Sequence, residues 1–172
     1  MRGAGHIQAG SWSLTTRVVL VDTDRAPLEF SLAHRLRDDL QVGIEYNVEE
    51  EAIFPLINWR AMDATKDHPA LVVGVGSAWP SNEVDGSALF ITAAQNIAKG
   101  LSLSASLSYG IEDHRVRAPG SLRYVLGETL STTLFYDGDN LHPLLTYRTA
   151  STSYSLIFLG ARDPAISISW GF

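Results

Sequence analysis

Large apolar residues recur at every second position along most of this chain. In LSLSASLSYGI, residues Leu101, Leu103, Ala105, Leu107, Tyr109 and Ile111 share one parity, and Ser102, Ser104, Ser106, Ser108 and Gly110 the other. Successive side chains on a strand point to opposite faces, so this is a strand pattern and not a helical one. LQVGIEYNV repeats it, with Leu40, Val42, Ile44, Tyr46 and Val48 opposite Gln41, Gly43, Glu45 and Asn47. The same reading covers Trp12–Val21, Leu28–Leu36, Ile53–Met62, Ala70–Trp79, Ala88–Ile97, Ser121–Leu126, Leu130–Asp137, Leu141–Thr149, Tyr154–Gly160 and Ala165–Phe172. About twelve strands result, each near the nine to eleven residues that a tilted strand needs to cross a bilayer. TAAQNIAKG also fits a short helix, and that alternative stays open. Short turns rich in Gly, Pro, Asp and Asn join the strands, with no linker or second composition regime. A single domain over residues 1–172 is expected, with 1–11 a flexible N-terminal segment.

Alternation suits a soluble barrel or sandwich with its apolar face inside, and equally a membrane barrel with that face outside. The polar face separates the two. It consists of Ser, Gly, Ala, Thr and Asn, with charge gathered in turns, whereas a water-facing sheet carries long charged side chains. Small residues suit the concave inside of a closed wall. Trp12, Trp59, Trp79, Tyr109, Tyr136, Tyr147 and Trp170 fall near strand ends, where the aromatic girdles of a membrane barrel lie. A ring of aromatics capping a sandwich core is the plainer alternative.

The last eight residues, AISISWGF, place Ile166, Ile168, Trp170 and Phe172 on one face, and the sequence stops on the aromatic. This stretch resembles the C-terminal signature strand of bacterial outer-membrane β-barrel proteins. The resemblance implies a closed, antiparallel, up-and-down barrel whose last strand pairs with its first. It also implies recognition of that strand by the outer-membrane assembly machinery, and lipid contact at these four residues. The turns are short at both ends, where the class usually has long outer loops. The opening MRGAGHIQAGSW lacks the apolar core of a signal peptide. A leader outside this sequence, or a protein that is not exported, is therefore expected.

Charge within the strands keeps to the small-residue face: Arg17, Glu29, Arg35, Glu45, Arg60, Arg123 and Arg148. A charge on the lipid face costs roughly 2–4 kcal/mol at mid-membrane, so such a restriction marks a lumen lining. Five arginines against two carboxylates favour anions in a conducting lumen; an internal salt-bridge network that fills the barrel is the competing reading. Alternate turns, including Glu49–Glu51, Glu112, Asp113, Asp137 and Asp139, form a strongly acidic rim, and the other turns are close to balance.

Other chemistry is sparse. In DGDNLHP, His142 has Asp137 and Asp139 close by, and Ser131 stands on the same hairpin; a base–nucleophile pair needs such neighbours, but Asp-Gly and Asp-Asn are also good hairpin turns. Some outer-membrane barrels are lipid hydrolases, and their motif has no match here. Glu49–Glu51 could hold a hard cation, but solvated turn charge is the simpler account. The five histidines lack metal-ligand spacing, and GVGSAW lies in a strand with no helix after it, so it is not a nucleotide fingerprint. No catalytic residue, metal or cofactor is assigned.

Composition narrows the picture. With no cysteine, disulfides and thiolate sites are excluded. A net charge of −6 argues against nucleic-acid binding. Charged residues are only 19 % of the chain, with two lysines, which is low for a water-facing protein. No stretch of about 18 consecutive apolar residues offers a membrane helix. The expectation is a barrel in a bacterial outer membrane, in contact with lipid, acting as a passive pore for small, anionic solutes rather than as an enzyme. The alternatives are a non-conducting structural or lipid-modifying barrel, and a soluble barrel around an apolar ligand.

Overall fold

The computed structural model describes residues 10–22, 27–77 and 86–172. It contains β1 (Trp12–Val19), β2 (Leu28–Arg37), β3 (Leu40–Asn47), β4 (Ala52–Met62), β5 (Ala70–Ser77), β6 (Ser87–Ala98) and β7 (Leu101–Gly110). A two-residue strand β8 (Val116–Arg117) precedes β9 (Gly120–Val125), β10 (Leu130–Tyr136), β11 (Leu141–Arg148), β12 (Thr152–Leu159) and β13 (Asp163–Gly171). Every pairing is antiparallel between wall neighbours, and β1 pairs with β13 over seven rungs from Ser13↔Gly171 to Val19↔Ala165. Pairing of β6 with β7 completes the ring. Twelve strands therefore close the wall. β8 lies outside that count: it pairs with β7 at Ser108↔Arg117 and Tyr109↔Val116, beyond the stretch of β7 that β9 occupies.

TAAQNIAKG belongs to β6 and the turn after it, so the helical alternative is lost to pairing along both edges of that strand. Residues 1–9 of the expected N-terminal segment lie outside the described residues. Gly10 is tied down, its N–H donating to the Arg35 carbonyl at 2.7 Å.

The apolar parity faces outward. Leu14, Ile44, Ile57, Ile91, Leu107, Leu134, Leu145, Ile166 and Ile168 are all exposed on the outside of the wall, and together they make a continuous apolar belt. Trp12, Trp59, Tyr147, Tyr154 and Trp170 stand on it near the end that carries both termini, with Tyr46, Tyr109 and Tyr136 near the other. The inner face is knitted by hydroxyl pairs across adjacent strands: Thr15 with Ser169 at 2.9 Å, Thr92 with Ser106 at 2.7 Å, Ser104 with Ser121 at 2.7 Å and Thr146 with Ser155 at 2.9 Å. Each such pair contributes roughly 0.2–1 kcal/mol. The serine parity thus serves the wall itself, because two short hydroxyls meet without filling the space between.

Gly74 shows why the inner face needs small residues. A Cβ there would run into the Ile57 carbonyl and come within 2.6 Å of the Phe90 ring, which lies across the glycine. The buried apolar cluster is small and one-sided: Val19, Ile157, Leu159 and Ala165, with Leu144 against them, project inward from β1, β11, β12 and β13.

Candidate functional site: the barrel lumen

All seven charged residues that the sequence places within strands carry the inward parity. Arg17 stands opposite Glu29, Glu45 opposite Ser31, Arg35 opposite Gln41, Arg60 opposite Val72, Arg123 between Ser102 and Thr133, and Arg148 opposite Ser153. They do not form one cluster. Arg17, Glu29 and Glu45 lie within three residues of the strand ends at the hairpin-loop end, away from the termini. Arg35, Arg60, Arg123 and Arg148 lie in the half towards the termini.

At the loop end the charges are occupied. Arg17 Nη2 donates to Glu29 Oε2, and both side chains are buried. Glu45 Oε2 accepts from the backbone N–H of Ser77 at 2.8 Å and from its hydroxyl at 2.5 Å. Arg117 bridges two loops, Nη2 to Asp113 at 2.6 Å and Nε to Asp139 at 2.9 Å. The sequence reading missed this last triad. Arg117 and Asp139 are 22 residues apart in the chain, and no local spacing announces the triad. Gly138, with φ of 116°, lets the chain turn closely over Arg117, whose Cβ would lie 2.7 Å from any Cβ added there. The hydrogen bond from Arg117 holds the Asp113 carboxyl below the ordinary carboxylate range.

His142 is fully buried on the inward face, 0 % exposed. Its Nε2 lies 2.8 Å from Asp137 Oδ2, and the Gly160 N–H donates to its Nδ1 at 3.1 Å. An Nδ1 that accepts leaves the ring proton on Nε2, so this imidazole is neutral and donates to Asp137. Burial pushes the Asp137 carboxyl up, but the hydrogen bond from His142 and those from the Asn140 and Asp139 N–H groups outweigh it and hold the carboxyl low. Ser131 is not part of this site: it pairs with Thr146 near the far end of β10, whereas His142 pairs with Phe135. Ser131 Oγ instead accepts from Arg123 Nη2 at 3.4 Å. His142 thus braces the β10–β11 and β12–β13 turns and is not on the outer wall.

In the half towards the termini the balance changes. Arg60 Nε meets Asp63 at 2.7 Å, and its Nη2 donates to the Asp38 carbonyl at 3.1 Å. Arg123 and Arg148 are within electrostatic reach of each other, and among the described residues neither guanidinium meets a carboxylate. Arg35 and Arg60 flank β3, and Arg123 and Arg148 flank β10. In the ring of twelve these two strands stand opposite each other. Two arginine pairs therefore face one another across the lumen.

The four residues of the expected signature strand are placed on the outside: Ile166, Ile168, Trp170 and Phe172 are all exposed, with Trp170 and Phe172 in ring contact at 4.9 Å. Of the acidic rim, Asp24, Glu83 and Asp85 lie outside the described residues, as do Arg25 and Trp79. Glu49, Glu50 and Glu51 sit exposed in the β3–β4 turn. Among the described residues no group of three His, Asp or Glu side chains is arranged to hold a metal ion.

A solved structure described as "KdgM porin" superposes on this barrel with a TM-score of 0.59, covering 94 % of this chain and 98 % of that one at 9 % sequence identity. At that identity the likeness is one of fold: this chain is a porin-like closed β-barrel. No protein-family profile and no curated protein sequence matches it.

Proposed function

We propose that this chain is an outer-membrane pore that passes small solutes and favours anions. The observation that carries the reading is the arginine pair Arg123 and Arg148, which meets no carboxylate among the described residues, on the inner wall of a barrel whose outer wall is a continuous apolar belt. A polar lumen inside an apolar belt fits a membrane-spanning barrel, and uncompensated cationic side chains in such a lumen lower the barrier to anions. The porin-like fold supports the same location and role. Lipid contact on the belt, and recognition of the Ile166–Phe172 strand by an assembly machinery, belong to this reading. The test is single-channel current after refolding into a planar bilayer under a salt gradient. Discrete steps with a reversal potential on the anion side are expected; a folded, inserted barrel with no current overturns the pore.

One observation favours a second reading, a non-conducting barrel. Val19, Ile157, Leu159 and Ala165 pack together inside the wall near the loop end, with Leu159 and Ala165 at 0 % exposure, so part of the lumen cross-section is filled there. Absence of current in that same experiment selects it.

A further inference from the structure

The lumen is charged asymmetrically along its axis, and this asymmetry has a consequence for conduction beyond ion preference. At the loop end, the described turns 20–22, 48–51, 111–119 and 137–140 with 160–163 carry nine carboxylates against three arginines. The inward charges just below them, Arg17, Glu29 and Glu45, add a further net negative charge. Towards the termini the turns carry five carboxylates against three cations, and the four inward arginines reverse that balance. Within the lumen the step is sharper. The inward strand charges on the loop side, Arg17, Glu29 and Glu45, sum to a net charge of −1, and four arginines facing each other across the wall lie on the other.

An acidic mouth accumulates cations and a basic mouth accumulates anions, within about one screening length of the wall. A voltage that makes the loop side positive drives cations in from the mouth where they are concentrated, and anions in from the other. Both carriers then fill the lumen. The reverse voltage draws both out and depletes it. We propose that this pore rectifies, passing more current when its loop side is positive, with Arg123 and Arg148 as the residues that set the effect at the terminal mouth. The inference rests on the pore reading above.

The experiment is a current–voltage curve on single channels of the full chain in symmetric potassium chloride. The chain has no cysteine, so Ala150→Cys in the exposed β11–β12 turn, biotinylated before insertion, marks the terminal side. Streptavidin added to one compartment perturbs only channels whose termini face it. The expected ratio of currents at opposite voltages is roughly two-fold at 0.1 M salt, where screening acts over about 10 Å, and close to one at 1 M, where it acts over about 3 Å. Arg123→Gln with Arg148→Gln, or Arg148→Gln alone if the pair fails to refold, is expected to bring the low-salt ratio close to one. Channels that conduct symmetrically at 0.1 M overturn the inference and leave the pore intact, as does rectification of the opposite polarity. A ratio unmoved by 1 M salt or by the arginine variants overturns the assignment to these charges. No conduction at all overturns the pore reading, and the inference with it.

Discussion

The Nε2 of His142 and Oδ2 of Asp137 lie 2.8 Å apart, both side chains sealed from solvent inside the barrel wall. Asp137 Oδ1 also accepts from the N–H groups of Asp139 at 2.8 Å and Asn140 at 2.6 Å, while His142 Nδ1 accepts from Gly160. Two hairpin turns are fixed through one neutral imidazole. His142→Ala leaves a cavity, and it removes the His142 partner of Asp137 Oδ2 and of the Gly160 N–H. We expect a loss of roughly 2–4 kcal/mol in refolding equilibria followed by heat-modifiable gel mobility. Ion selectivity should not move, because His142 carries no charge into the lumen.

The acidic limit of stability follows from two loop carboxylates. Asp137 and Asp113 are both held below their ordinary value in the folded chain. A depressed folded pKa contributes stability that is full above the unfolded value, near 4 for Asp, and is lost as pH falls through the folded value. Loop-end order should therefore hold from neutral pH down to about 4 and fail below it. Limited proteolysis across that range checks this, with Asp137→Asn expected to be less stable at neutral pH and flatter with acid.

Adjacent residues of β13 should behave oppositely. Ile168 points outward and is exposed on the belt, whereas Ser167 points inward opposite Arg17. Ile168→Asp places a charge on the apolar wall, at a cost below the roughly 2–4 kcal/mol of an Arg or Lys at mid-membrane, and should impair bilayer insertion. Ser167→Asp should insert normally. Normal insertion of Ile168→Asp would overturn this assignment of the faces.

The arginines should differ in their effect on reversal potential. Arg60 is offset by Asp63 at 2.7 Å, but Arg148 meets no carboxylate among the described residues. Arg148→Ala should shift the reversal potential towards cations clearly more than Arg60→Ala does.

Removing one member of the Arg17–Glu29 pair takes the countercharge from a buried ion. Glu29→Ala should cost roughly 3–5 kcal/mol, while the double change Arg17→Met with Glu29→Leu should recover most of it. Unfolding in urea by intrinsic tryptophan fluorescence would measure both.

The period-two alternation by itself determined the strands, their number around the wall, and which parity is apolar, since side-chain direction on a strand is a local property. It also confined every strand charge to one face. That the apolar parity faces out came from the chemistry of its partner face: Ser102, Ser104 and Ser106 are too small to belong to a water-facing surface of the usual kind. TAAQNIAKG was ambiguous because Ala, Gln and Asn have little strand preference, and only pairing of β6 on both edges decided it. What the tertiary structure alone decided is which charges meet. Arg117 finds Asp139 across 22 residues, and Arg17 takes up Glu29. His142 is locked to Asp137 and Gly160, far from Ser131. Among the described residues Arg123 and Arg148 meet no carboxylate, and they stand opposite Arg35 and Arg60. Parity fixes the face of a charge; ring closure and register fix its neighbours, and those depend on residues far apart in the chain.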